Sequence, residues 1–237
     1  MRFWGWQVVL LLCVGCQSRD TLSLLEVNSG RIYGNYSVDF NAQNQRVTIF
    51  AQLRSGGSTG PSIDLGTSNP LLINGETIAP QRTPGVGTFY SLQWTETAPL
   101  PVYTFQWRLP EGRRIENSVS VPTPLSVLRP SAGIEHSALD DLRVEFSGEA
   151  VRTGDMVNAH LETETTPKPG EERSWVRSIR DGTSLFFPRD TLRRFARGPA
   201  VLYLVRERRG LPAQGHEEAG GLLRSTYRCP DVHLEIR

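Results

Sequence analysis

Beyond the first sixteen residues, apolar side chains fall in short runs broken by glycine, proline or asparagine, and no long stretch holds a helical period. In the first half the runs predict strands at LSLLEV (22–27), RIYGNYSVDF (31–40), RVTIFAQLR (46–54), PSIDL (61–65), PLLIN (70–74), TFYSLQW (88–94) and VYTFQWRL (102–109), with ENSVSV and PLSVL within 116–128. Alternation supports this. From Arg46, the residues Val47, Ile49, Ala51 and Leu53 share one face while Thr48, Gln52 and Arg54 lie mostly on the other, the pattern of a strand with one dry and one wet side. Tyr90, Leu92 and Trp94 share a face, as do Tyr103, Phe105, Trp107 and Leu109. Asn74-Gly75 suits a tight turn, Gly112 suits the turn after Leu109, and SGGSTGP (55–61) is too glycine-rich to pack and predicts a loop tip.

The second half predicts strands at LRVEFSG (142–148), MVNAHLETE (156–164), SWVRSI (174–179), SLFF (184–187), PAVLYLVRE (199–207), GLLRSTY (221–227) and VHLEI (232–236). Pro188 and Asp190 predict a short helix toward Phe195, stopped by Gly198-Pro199. Short strands with a turn signal every eight to twelve residues are the sequence form of a sandwich. The expected fold is therefore all-β, with two immunoglobulin-like β-sandwich domains at 22–129 and 138–237. Between them, RPSAGIEHS marks the shift from sparse charge to the charged segments EERSWVR, DTLRRFAR and VRERRG.

The chain has 237 residues, with 26 basic against 25 acidic side chains. That balance lacks the sustained positive excess needed to neutralise phosphates, which excludes nucleic acid as the expected partner. Basic residues are almost all arginine, with Lys168 the single lysine.

The start of the chain carries a different signal. Arg2, the apolar run Val8 to Val14, and Gly15-Cys16 form the three zones of a secretory signal over residues 1–15. The run is too short to span a bilayer before the polar QSRD. Leu12-Cys13-Val14-Gly15-Cys16 resembles the lipobox of bacterial lipoproteins, with Cys13 where an aliphatic residue is usual. The resemblance implies that Cys16 is the lipid attachment site and the new N-terminus, that residues 16–21 are a tether, and that membrane lipid is a partner. Gln17, in place of an aspartate, implies the outer membrane facing the periplasm.

Cys229 then has no intrachain partner and is expected at a buried strand end. His216 in GHEEAG lacks the second histidine of a zinc-binding helix and is expected in a solvated loop. His160 shares a strand face with Glu162 and Glu164. There is no nucleophile elbow and no phosphate loop, so no catalytic residue, metal or cofactor is expected. Trp94, Trp107 and Trp175 are the candidate ligand-stacking residues, with core packing the competing role for Trp94 and Trp107. These features imply a non-enzymatic structural or protein-interaction module of the cell envelope, with an envelope protein as partner. The alternative is a module that binds carbohydrate, either peptidoglycan or surface polysaccharide. A hydrolase would require His160 or His216 to meet a carboxylate or serine within about 3 Å.

Overall fold

The computed structural model describes residues 20–151 and 153–237; the signal segment and Cys16 lie outside the described residues. The first half contributes β1 (Thr21–Ser23), β2 (Ile32–Asn41), β3 (Arg46–Ser55), β4 (Ser62–Asp64), β5 (Leu71–Ile73), β6 (Glu76–Ile78), β7 (Pro80–Thr83), β8 (Gly87–Thr95), β9 (Val102–Arg108) and β10 (Arg114–Ser120). The second contributes β11 (Val127–Arg129), β12 (Glu135–His136), β13 (Leu142–Phe146), β14 (Asp155–Thr163), β15 (Ser174–Ile179), β16 (Ser184–Phe187), the one-turn α1 (Arg189–Leu192), β17 (Gly198–Gly210), β18 (Gly221–Arg228) and β19 (Val232–Ile236). The architecture is all-β and sandwich-like. Only the first predicted strand differs in kind: LSLLEV pairs just as far as Ser23 and then turns into a 3-10 helix, Leu24–Glu26. Its cause is a capping box, in which the Ser23 side chain accepts from Leu25 N and the Glu26 carboxylate accepts from Ser23 N at 2.8 Å.

The described residues form three sheets. A 12-stranded sheet runs β1-β4-β3-β2-β18-β17-β14-β15, with β7 and β8 joined beside β3, and β12 and β19 beside β17. A 4-stranded sheet, β10-β9-β5-β6, covers its first half, and a 3-stranded sheet, β11-β13-β16, belongs to the second. Alternation places Val38, Phe40, Val47 and Ile49 in the core with Tyr103, Phe105 and Trp107 opposite. The Tyr36 and Phe105 rings, 5.0 Å apart, mark where the two sheets of the first half meet. In the second half Val157, Ala159, Leu161, Leu202 and Leu204 join Val144, Phe146, Leu185 and Phe187 in the same core.

The two halves share backbone. β17 is long enough to serve both: Gly198 to Leu202 pair with β19, whereas Val205 to Gly210 pair with β18. β18 then lies parallel to β2 from Gly221↔Gly34 to Arg228↔Asn41. The β17–β18 hairpin thus leaves the second half and supplies a strand of the first. One row of Cα partners, Thr95, Arg46, Asn41, Arg228, Val205, Asn158 and Ser178, crosses the whole sheet and the segment expected to divide it.

At the seam, Arg206 is buried to 1% exposure. It donates to the carbonyls of Thr123, Glu149 and Ala150 and lies 3.6 Å from Asp155, which Arg208 grips through two bonds of 2.7 and 2.9 Å. A buried guanidinium is tolerated because carbonyls and a carboxylate replace its water.

Candidate functional site

The predicted ligand-stacking tryptophans do not come together. Trp107, at 1% exposure, is a core residue whose Nε1–H donates to the Tyr36 hydroxyl at 3.0 Å, so it is unavailable to a ligand. The reason is periodicity: Trp107 keeps the inward parity of Tyr103 and Phe105 on β9. Trp94 is half-buried on β8, its ring 6.1 Å from Tyr103. Trp175 is half-buried on β15, and the Arg194 guanidinium lies over its ring at 5.1 Å.

The histidines also depart from expectation. His216 is buried, not solvated. The β17–β18 hairpin tip inserts it beneath Gly34, where a Cβ would stand 2.4 Å from the imidazole. Its Nδ1 lies 2.7 Å from the Ile32 carbonyl and its Nε2 lies 2.9 Å from the Tyr36 hydroxyl. A carbonyl only accepts, so Nδ1 carries the proton and Nε2 accepts from Tyr36. Burial lowers the His216 pKa and raises that of Tyr36, keeping both neutral. Cys229 is buried as expected, and burial raises its thiol pKa.

What the fold does assemble is an open face. Opposite the core, β14 presents Asn158, His160 and Glu162, β17 presents Tyr203 and Val205, and β18 presents Arg228, all half-buried. His160 stacks on Tyr203 with centroids 4.7 Å apart and planes at 5°. The Arg228 guanidinium also lies over the Tyr203 ring at 4.0 Å, held in turn by Asn41 and Asp231. The Tyr203 hydroxyl donates to Glu162 Oε1 at 2.7 Å. Burial and the neighbouring Glu162 push the Tyr203 pKa to about 12, and burial lowers that of His160.

This stack fixes the imidazole upright, and neither ring nitrogen has a hydrogen-bond partner among the described residues. His160 therefore offers one donor and one acceptor beside a carboxylate and a guanidinium, all preorganised. Hydroxyl and amide groups extend the surface over the first half, where Gln93 donates to Thr48 and Phe50 stacks on Phe89 at 5.7 Å. Neither His160 nor His216 hydrogen-bonds a carboxylate or serine among the described residues. No group of three or more His, Cys, Asp or Glu able to hold a metal occurs among them. Sequence patterning placed His160 and Glu162 on one face but missed Tyr203 and Arg228, because cross-strand register is not written in local sequence.

No protein-family model and no curated protein matches the chain. Among solved structures it is similar to the Clostridium thermocellum CbhA fibronectin(III)-like modules at 13% identity, with 87% of this chain and 94% of that one covered and a TM-score of 0.27. A 1.5-MDa bacterial ice-binding adhesin, described for host cell surface retention, matches at 10% identity over 88% of this chain and 67% of that one, TM-score 0.23. The Bacteroides ovatus glucan-locus protein SGBP-B, in complex with a mixed-linkage heptasaccharide, matches at 8% identity over 87% and 60%, TM-score 0.20. Similarity at this level assigns no function.

Proposed function

We propose that this chain is a non-catalytic, surface-binding module of the cell envelope whose open sheet face binds a glycan, either peptidoglycan or surface polysaccharide. The observation that carries this reading is the single row of outward residues crossing seven strands, with the His160–Tyr203–Arg228 stack beside it. Six strand spacings of about 4.8 Å make that row roughly 29 Å long, enough to meet several sugar rings in line. A polyhydroxylated ligand matches a surface of fixed donors and acceptors interleaved with the His160–Tyr203 and Phe50–Phe89 rings, against which the apolar faces of sugars can pack.

The lipoprotein reading belongs to the same proposal: Cys16 carries the lipid, and each half of the body is immunoglobulin-like. The sheet order sets β1, which follows the tether, and β15 at opposite ends. A body anchored beside β1 turns its far half toward the envelope polymer.

Affinity electrophoresis through gels containing soluble peptidoglycan fragments or polysaccharide tests the ligand. The wild-type body is expected to be retarded by at least one glycan. His160→Ala should lose about tenfold in affinity, or roughly 1.4 kcal/mol, with its unfolding midpoint nearly unchanged, and Tyr203→Ala should lose as much affinity together with some stability, because Tyr203 packs against the core. Absence of retardation in every gel, or variants that bind as well as wild type, overturns the glycan assignment. Unchanged membrane fractionation of Cys16→Ser overturns the tether.

A further inference from the structure

β15 pairs with β14 on one side, from Val157↔Ile179 to Glu162↔Ser174. Just before it, Glu172 is bridged to Phe195, with Glu172 N donating to the Arg194 carbonyl and Ala196 N to the Glu172 carbonyl; from Ser174 to Ile179 no described strand and no backbone hydrogen bond occupies the other side. Such an edge is a template for a further strand unless something blocks it, and charge is the usual block. Here the charge is of one sign. Residues 168–197 hold eight basic against four acidic side chains, in a chain whose totals are 26 and 25.

Arg173, Trp175 and Arg177 share one parity on the edge, and Arg194 lays its guanidinium over Trp175 at 5.1 Å. Residues two apart on a strand are about 6.7 Å apart, so Arg173 and Arg177 stand roughly 13 Å apart along the edge, with the Arg194 guanidinium over Trp175 between them. Arg173, Arg177 and Arg180 enter no ion pair among the described residues. Of the acids in this segment, Asp190 is paired with Arg193 and Glu171 accepts from Lys168 N; Glu172 and Asp181 make no ion pair with these arginines. Val176 on the other face and Phe186 on the adjoining β16 are 49% and 48% exposed, offering apolar contact beside the charges.

We propose that the free edge of β15 receives a strand from a protein partner bearing aspartate or glutamate at alternate positions. Alternate positions of such a strand follow the same parity as Arg173, Trp175 and Arg177, and its main chain satisfies the unpaired edge from Ser174 onward, combining backbone affinity with side-chain selection. A second copy of this chain is a poor occupant, because pairing β15 with itself sets arginine against arginine. The site uses the outer edge of β15 and the face that carries Arg173 and Arg177; Val176 and Ser178 lie on the opposite face, where the glycan-binding row ends, so the two sites meet at β15.

Hydrogen exchange of the full body tests the proposal, using a synthetic nine-residue peptide with aspartate at every second position and threonine or valine between. Exchange at residues 174–179 is expected to slow at least tenfold at saturation, about 1.4 kcal/mol. Arg177→Glu should weaken binding about fivefold or more, whereas Arg113→Glu, a distant exposed arginine, should not. Arg177→Ser, which removes the charge without reversing it, should give an intermediate loss. Three results overturn the proposal: no protection of 174–179, equal binding by an anionic polysaccharide that leaves those amides unprotected, or self-association through β15.

Discussion

At the residue scale, the Tyr36 hydroxyl joins two rings across the core. It accepts from Trp107 Nε1 at 3.0 Å and lies 2.9 Å from His216 Nε2, to which it donates. Water cannot replace either bond of the Tyr36 hydroxyl, because all three side chains are buried. Tyr36→Phe keeps the ring and strands an indole N–H and an imidazole nitrogen, so it should cost about 2–4 kcal/mol in denaturant unfolding. A loss under roughly 0.5 kcal/mol would mean that the chain of bonds contributes little beyond packing. The inward parity of Trp107 was legible from Tyr103 and Phe105. The burial of His216 was not, since glycines and glutamates around it read as a wet loop; only the tertiary contact beneath Gly34 removes it from solvent.

At the scale of elements, the β17–β18 hairpin joins the halves. Its tip is held by Asn117, whose Oδ1 accepts from Ala213 N at 2.7 Å and Gln214 N at 3.0 Å while Nδ2 donates to the Gln214 carbonyl. Asn117→Ala removes all three bonds from a residue that is 1% exposed. It should destabilise the protein by about 2–3 kcal/mol and speed hydrogen exchange in β2 together with β18, measured in one experiment. Faster exchange confined to β18 would contradict the view that the hairpin supports the first half. Strand positions were largely legible, because period-2 alternation survives in RVTIFAQLR, VYTFQWRL and MVNAHLETE. β6, β7 and β12 were not: they are 3, 4 and 2 residues long and expose most of their side chains. The parallel pairing of β18 with β2 joins residues far apart in sequence, and local patterning carries no trace of it.

At the scale of the whole molecule, one sheet offers two distinct surfaces. Its face is a polar row shared by both halves, and its far edge is a line of arginines. The composition shift near residue 129 signalled that the halves differ in charge, but the shared strand that fuses their sheets depends on the length of β17, whose 13 residues pair with β19 at one end and β18 at the other. The site was legible only as His160 and Glu162 on a common face; the partners that make it rigid come from β17 and β18. The central claim, that this face binds a glycan, is tested most directly by titrating isotopically labelled protein with soluble envelope glycan and following amide and side-chain resonances. Shifts concentrated on Asn158, His160, Glu162, Tyr203 and Arg228, spreading along the row toward Asn41 and Arg46, are the predicted result. Shifts confined to β5, β6, β9 and β10, or no shifts with any glycan, would contradict it.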